Sequence, residues 1–111
     1  MKDVKFVGSS LDDLRAFPKS PRQDMGRQVN RIQQGLEPLD WKPVKSVGQG
    51  VREIRIRDEG NNYRCMYVAN LGKSVYVLHV FMKKSQKISS KDIEIAKSRF
   101  KEVLVASRQQ R

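Results

Sequence analysis

The chain has 111 residues, which suffices for one hydrophobic core but not two, so a single domain over residues 1–111 is expected. With 23 Lys and Arg against 12 Asp and Glu, its formal net charge of +11 favours an acidic or polyanionic partner, with nucleic acid as the first choice. No run approaches the roughly 20 apolar residues of a bilayer span, and the N-terminus lacks an apolar signal segment, so we expect no membrane partner and a cytoplasmic location.

The first third of the chain predicts a strand followed by two helices. Residues 3–6 alternate between charged and apolar side chains, as in a short strand with one buried face. A short helix follows, capped by Ser9 or Ser10 and closed at Pro18. A second helix starts at Ser20, because a proline is tolerated in the first turn that follows. Its apolar stripe consists of Met25, Val29, Ile32 and Leu36.

The middle of the chain predicts a loop and then three strands. Residues 36–50 contain two prolines and two glycines and predict an ordered loop, in which Trp41 is either a packing anchor or a base-stacking platform. Strands are predicted near residues 51–57, 63–70 and 74–82. Because the two connecting segments are rich in turn-forming residues, an antiparallel meander is the simplest arrangement.

The C-terminal segment predicts one more helix. Ser89 or Ser90 caps it, and residues 106–111 are polar enough to fray. The predicted order is therefore strand, two helices, three strands and helix. This order predicts an α+β sandwich in which the helices lie on one face of the sheet and leave the other face for function.

Alternation along the three central strands predicts that their cations share a face. Glu53, Arg55 and Arg57 point away from the isoleucines of their strand, whereas Arg52 shares the isoleucine side at the strand end. His79 is in phase with a lysine on the third strand. The cations predicted to come within reach of one another, on the face away from the helices, are Arg55, Arg57, Arg64, Lys83 and Lys84.

Such a cluster suits phosphate chemistry. The planar guanidinium of arginine can hold a phosphate through two hydrogen bonds and stabilise the charge that develops during its transfer. RNA carries its own nucleophile, the 2′-hydroxyl, so its cleavage requires only a base and an acid. Lys83 and Lys84 lie among arginines, which lowers lysine basicity. His79 is the acid–base candidate by residue type, with a purely structural histidine as the alternative.

Cysteine and the possible metal ligands indicate no further chemistry. Cys65 lies inside a predicted strand and is interpreted as a small buried hydrophobe rather than a reactive thiol. One histidine, one cysteine and scattered acids give no metal-ligand spacing, so we expect no metal and no cofactor.

Several short stretches are familiar in combination: residues 50–55 (GVREIR), the pair Tyr63-Arg64, residues 78–87 (LHVFMKKSQK) and residues 93–97 (IEIAK). Together with the order of elements, they resemble the RelE/ParE toxin superfamily, and most closely its phage-derived, HigB-like branch of type II toxin–antitoxin toxins. The resemblance covers nearly the whole chain. No tyrosine follows Tyr76, so the tyrosine that some RelE-type toxins place near the C-terminal helix has no counterpart, and the general base stays unassigned.

The resemblance implies a RelE-like fold and an endoribonuclease that cuts mRNA in the ribosomal A site through 2′-hydroxyl attack. It implies that Arg64 holds the scissile phosphate, that Arg55 assists, and that Lys83 or Lys84 stabilises charge or transfers a proton. His79 completes the predicted catalytic set. The residues predicted to bind substrate are Arg57, Arg52, Lys87 and Tyr63.

The resemblance also implies partners and alternatives. The expected partner is an antitoxin with a helix-turn-helix DNA-binding domain, through which alone the toxin would meet operator DNA. A ParE-type inhibitor of DNA gyrase on the same fold is one alternative function. A basic nucleic-acid-binding module without catalysis is the other, and its affinity should fall steeply with salt.

Overall fold

A computed structural model describes residues 1–109 of the chain. The chain order is strand, two helices, four strands and a long final helix. The strands are β1 (Asp3–Phe6), β2 (Trp41–Pro43), β3 (Val51–Asp58), β4 (Asn61–Leu71) and β5 (Ser74–Lys83), and the helices are α1 (Ser10–Arg15), α2 (Lys19–Gln33) and α3 (Ser90–Gln109).

The five strands form one mixed sheet in the order β1-β5-β4-β3-β2. Strands β3, β4 and β5 are the antiparallel meander that the sequence predicts, and β1 adds in parallel at the β5 edge. Strand β2 pairs antiparallel with β3 at the other edge and lies inside residues 36–50, which were predicted as a loop. Three residues, one of them a proline, are too few to show the alternation that identifies a strand.

Helices α1 and α2 cover one face of the sheet and form the first core. The apolar stripe of α2 is buried at Met25, Val29 and Ile32, as predicted. Leu36 is exposed, because α2 ends at Gln33 and Gly35, with a φ of 84°, turns the chain away. The sheet residues buried in this first core are Ile54, Tyr63, Cys65, Tyr67, Val75, Val77 and Val80.

Helix α3 packs on the opposite face, so the prediction that all helices share one face is wrong. Residues 63–68 of β4 and 74–81 of β5 are buried without interruption. Successive residues of a strand point to opposite faces, so a strand that is apolar throughout must be covered on both faces. Helices on one face alone cannot do this. The second core joins α3 to the sheet through Met66, Val68, Tyr76, Leu78, Phe81, Ala96, Phe100 and Val103.

A β-bulge in β5 changes the predicted alternation at its centre. Met66 lies opposite His79, whereas the next residue, Tyr67, lies opposite Val77, so Leu78 is an extra residue on β5. Leu78 and His79 therefore both face the second core, although strict alternation predicts opposite faces. Bulges commonly redirect a side chain beside a functional site.

Helix α3 begins with a side-chain cap. Ser89 accepts a hydrogen bond from the backbone N–H of Asp92 at 3.1 Å and donates its hydroxyl to Asp92 Oδ2 at 2.7 Å. The helix continues to Gln109, past the start of the predicted frayed tail; residues 110–111 of that tail lie outside the described residues. Within residues 1–109, no helix is both long and apolar enough to cross a membrane.

Candidate active site

The polar side chains of interest occupy three cross-strand rows on the α3 face of β3, β4 and β5. Helix α3 begins beside the first row and runs away from the other two. The rows are Glu53–Met66–His79, Arg55–Arg64–Phe81 and Arg57–Asn62–Lys83. Antiparallel register thus brings four of the five predicted cations to one face, and the fifth, Lys84, follows the end of β5.

Arg55 and Arg64 lie directly opposite each other, an arrangement that like charges disfavour. Two carboxylates offset the repulsion. Glu53 Oε1 lies 3.8 Å from Arg64 Nε, and Asp40 Oδ1 lies 3.9 Å from Arg55 Nε. The backbone of Asp40 is fixed beside β3, because the backbone N–H of Arg55 donates to the Asp40 carbonyl at 2.9 Å. The two arginines therefore share one electropositive spot that is only loosely neutralised.

Arg64 is the inner of the two arginines. Its side chain is 7% exposed and that of Arg55 is 34% exposed. Burial lowers the pKa of Arg64, the carboxylate of Glu53 opposes this, and the positive charge of Arg55 adds to it. The guanidinium still carries its charge at neutral pH. Neither Arg64 Nε nor Glu53 Oε2 has a hydrogen-bond partner among the described residues, although both atoms are buried.

His79 is buried beside this pair and is bound to α3. Its Nε2 lies 2.7 Å from Asp92 Oδ1, and its ring stacks on Phe81 with centroids 4.8 Å apart. The other ring nitrogen, Nδ1, is buried and has no hydrogen-bond partner among the described residues. A carboxylate that contacts one imidazole nitrogen fixes the orientation of the ring, as a histidine in proton transfer requires.

The predicted lysines surround the start of α3. Lys83 ends β5 and is half-buried, whereas Lys84 and Lys87 are exposed. All three line a hollow of about 270 Å³ that also contains Ser89 and Asp92. Asp92 therefore lines the hollow and also contacts His79. The three lysines place positive charge around the hollow, next to the row that contains Lys83.

Two predicted substrate-binding residues lie elsewhere. Tyr63 is buried in the first core, where its ring meets Phe17 edge-on at 4.8 Å, and it faces the side of the sheet opposite the arginines. Arg52 lies over the ring of Trp41 at 3.9 Å and pairs with Glu37 at 3.5 Å. Tyr63 and Arg52 are both out of phase with Arg55 and Arg57, so neither lies in this site. Arg57 is exposed in the outermost row.

Glu53 and Asp92 belong to the site but were not predicted as functional residues. Glu53 shares the phase of Arg55 and Arg57, so its face was known, but its burial was not. By sequence, Asp92 is only an acidic residue in the first turn of the final helix. No local pattern links Asp92 to His79, because the contact depends on α3 crossing the sheet. Within residues 1–109, no group of three or more His, Cys, Asp or Glu side chains is arranged to hold a metal ion.

The mixed sheet with two helices on one face and a long C-terminal helix on the other is compatible with the RelE-like fold, and the cross-strand rows gather positive charge on one face. The family model described as phage derived protein Gp49-like (DUF891) matches residues 12–101. The chain therefore belongs to this Gp49-like family, which is a family of RelE/HigB-like toxin-type proteins. No curated protein matches the chain significantly.

Proposed function

We propose that the chain is the toxin of a type II toxin–antitoxin module and that it cleaves mRNA on the ribosome. The observation that carries the proposal is the opposed pair Arg55–Arg64 beside a histidine held by a carboxylate. Charge neutralisation and proton transfer are the two functions that cleavage by a 2′-hydroxyl requires. The Gp49-like family membership and the net charge of +11 support the same class of function.

The arginines act at the scissile phosphate. Arg55, with a third of its side chain exposed, contacts a non-bridging oxygen, while Arg64 adds positive charge from beneath. This reverses the expected division of labour, in which Arg64 holds the phosphate and Arg55 assists. Glu53 lies 3.8 Å from the Arg64 Nε and accepts no hydrogen bond from it, so it neutralises the charge of Arg64 only in part. Arg57 and Lys87 guide the flanking phosphates.

Proton transfer completes the reaction. The 2′-oxygen forms a bond to phosphorus, and its proton passes to the carboxylate of Asp92, the partly exposed member of the His79–Asp92 pair. This carboxylate is our assignment for the base that the resemblance leaves unassigned. The bond from phosphorus to the 5′-oxygen breaks, and Lys83 or Lys84 gives that oxygen a proton. The products are a 2′,3′-cyclic phosphate and a 5′-hydroxyl end.

The proposed partners follow from this role. The mRNA and the ribosome provide the substrate in the cytoplasm, and an antitoxin with a helix-turn-helix domain neutralises the toxin. The antitoxin is expected to carry acidic residues that cover the basic rows, since opposite charges steer association. Operator DNA is then contacted through the antitoxin alone.

The test is induced expression in cells, with mapping of new mRNA 5′ ends and a parallel assay of plasmid supercoiling. Wild type should generate cuts in phase with codons and leave supercoiling unchanged. Arg55→Ala should reduce cleavage by about 10²–10³-fold, as for removal of one charge-stabilising donor. Asp92→Asn should reduce it by about 10²-fold, in the range of acid–base catalysis. Arg108→Ala, an exposed arginine on α3, is the matched control and should keep full activity.

Intact transcripts with altered supercoiling would refute the proposal in favour of gyrase inhibition. Intact transcripts and normal supercoiling would refute it in favour of a passive nucleic-acid-binding module. If Arg55→Ala and Arg108→Ala cut equally well, the arginine pair is not the site of phosphate chemistry.

A further inference from the structure

A second groove, separate from the arginine rows, lies at the β2 edge of the sheet. It encloses about 490 Å³, within the range of small-molecule sites, and is lined mainly by apolar surface. Trp41 and Pro43 of β2 form one wall, and the turn that leads into β3 forms the other. Trp41 is the only tryptophan of the chain and is half-buried, so part of a large aromatic ring remains in contact with solvent.

The aromatic wall is held in one orientation. The guanidinium of Arg52 lies over the Trp41 ring, with its central carbon 3.9 Å from the ring centroid. Behind it, Arg52 pairs with Glu37 at 3.5 Å. Burial raises the pKa of the nearby Tyr67, and the positive charge of Arg52 partly offsets that rise. Because these contacts are made in the free protein, a flat ligand would meet an ordered stack and lose little entropy on binding.

The opposite wall is fixed by packing on α3. A Cβ at Gly48 would overlap the Phe100 ring, so the backbone there packs directly against the second core. Val44 and Val47 are buried in the same core, and the Val44 N–H donates to the Val51 carbonyl at 2.9 Å. The groove is therefore preformed.

The charges of the groove favour an anionic ligand with a flat apolar part. Among the described residues, Lys45 and Arg52 are the charged side chains that line it, and both are cationic. Unpaired nucleobases stack on aromatic rings and on arginine planes, while nearby cations hold the phosphates on either side.

We infer that the Trp41–Arg52 groove binds an unpaired nucleobase of single-stranded RNA. This inference does not rest on the proposed nuclease activity, because the groove shares no residue with the arginine rows. If the chain is a nuclease, the groove holds RNA outside the cleavage site. If it is not, the groove still binds RNA.

Intrinsic fluorescence tests this directly, since Trp41 is the sole tryptophan. The probe is a 2′-O-methyl oligoribonucleotide, which has no free 2′-hydroxyl and cannot be cut by 2′-attack. Its control is an abasic oligomer of the same length and charge. Stacking should quench Trp41 with the first oligomer and leave the emission unchanged with the second, and Arg55→Ala should preserve this difference.

Affinities of labelled oligomers provide the second readout. Trp41→Ala should weaken binding by about 5- to 150-fold, the range for loss of one base–aromatic stack. Trp41→Phe should retain most of the affinity. Leu39→Ala, a similarly apolar but 76% exposed position nearby, should match wild type.

Equal quenching by the two oligomers, or an unchanged Kd for Trp41→Ala, would overturn the inference. Quenching by an acidic peptide but not by RNA would also overturn it and assign the groove to a protein partner. The comparison of oligomers uses the wild-type chain, so it stands even if Trp41→Ala fails to fold.

Discussion

The buried pair Glu53–Arg64 predicts that Arg64→Ala destabilises the fold in addition to any loss of activity. Both side chains are less than a tenth exposed, and they lie on neighbouring rows of β3 and β4. Alanine at position 64 leaves the Glu53 carboxylate buried without its nearest cation. An uncompensated buried charge is one of the few mechanisms that make a single substitution severely destabilising.

The cost of Arg64→Ala follows from the separation and the burial of the two charges. At 3.8 Å and an effective dielectric constant of about 20, the attraction is about 4 kcal/mol, most of which offsets desolvation of the two ions. Removing one partner of such a pair costs about 3–5 kcal/mol. We expect about 3 kcal/mol, the low end, because Glu53 and Arg64 share no hydrogen bond and Arg55 remains as a second cation. That loss corresponds to about 10–20 °C in Tm for a domain of this size.

Urea unfolding followed by circular dichroism and by Trp41 fluorescence measures the free energy of unfolding. The double variant Glu53→Gln/Arg64→Met removes both charges and is the control; it should lie within about 1 kcal/mol of wild type. If Arg64→Ala alone lies that close to wild type, or if the double variant is as unstable as the single, the buried charge of Glu53 does not set the stability. If Arg64→Ala is destabilising as expected, Arg64→Lys is the better probe of function. It keeps the positive charge and loses only the planar guanidinium that can form two parallel hydrogen bonds.

Two further predictions concern packing and reactivity. Gly48→Ala should destabilise the fold by about 1–3 kcal/mol, because its Cβ would overlap the Phe100 ring. Gly26→Ala in α2 should stabilise the fold by about 0.5–1 kcal/mol, because its Cβ would have nothing within 4 Å. Thermal unfolding compares the two variants, and equal Tm values would contradict the packing argument. Burial raises the pKa of Cys65 to about 12, so the native thiol should resist a disulfide reagent at pH 8 and react once urea unfolds the chain; rapid labelling of the native protein would contradict this.

Much of the fold could be predicted because its signals are local. The meander was predicted because turn-forming residues separate three runs of strand-forming residues, and the two predicted strand interruptions match the β3–β4 and β4–β5 turns. The stripe of α2 was predicted from spacing alone. Strand β2 was not predicted, because three residues are too few to show an alternation of side chains. It is a strand because it pairs with β3, a contact that the sequence of β2 does not indicate.

The candidate site was predictable only in part. Strand phase correctly grouped Arg55, Arg57, Arg64 and Lys83, since side chains two residues apart share a face. Phase says nothing about depth, and Arg64 is far more buried than Arg55.

The sequence therefore determined the basic character of this protein and the alternation that places its arginines on one face of the sheet. Net charge and strand alternation can both be found from short segments of the chain. The carboxylates that accompany these cations depend instead on how distant segments pack together. Asp92 reaches His79 because α3 crosses the second face of the sheet, and the bulge at Leu78 turns the histidine toward that helix. Contacts between segments far apart in sequence arise when apolar faces of different elements pack together. No single segment shows which faces will meet.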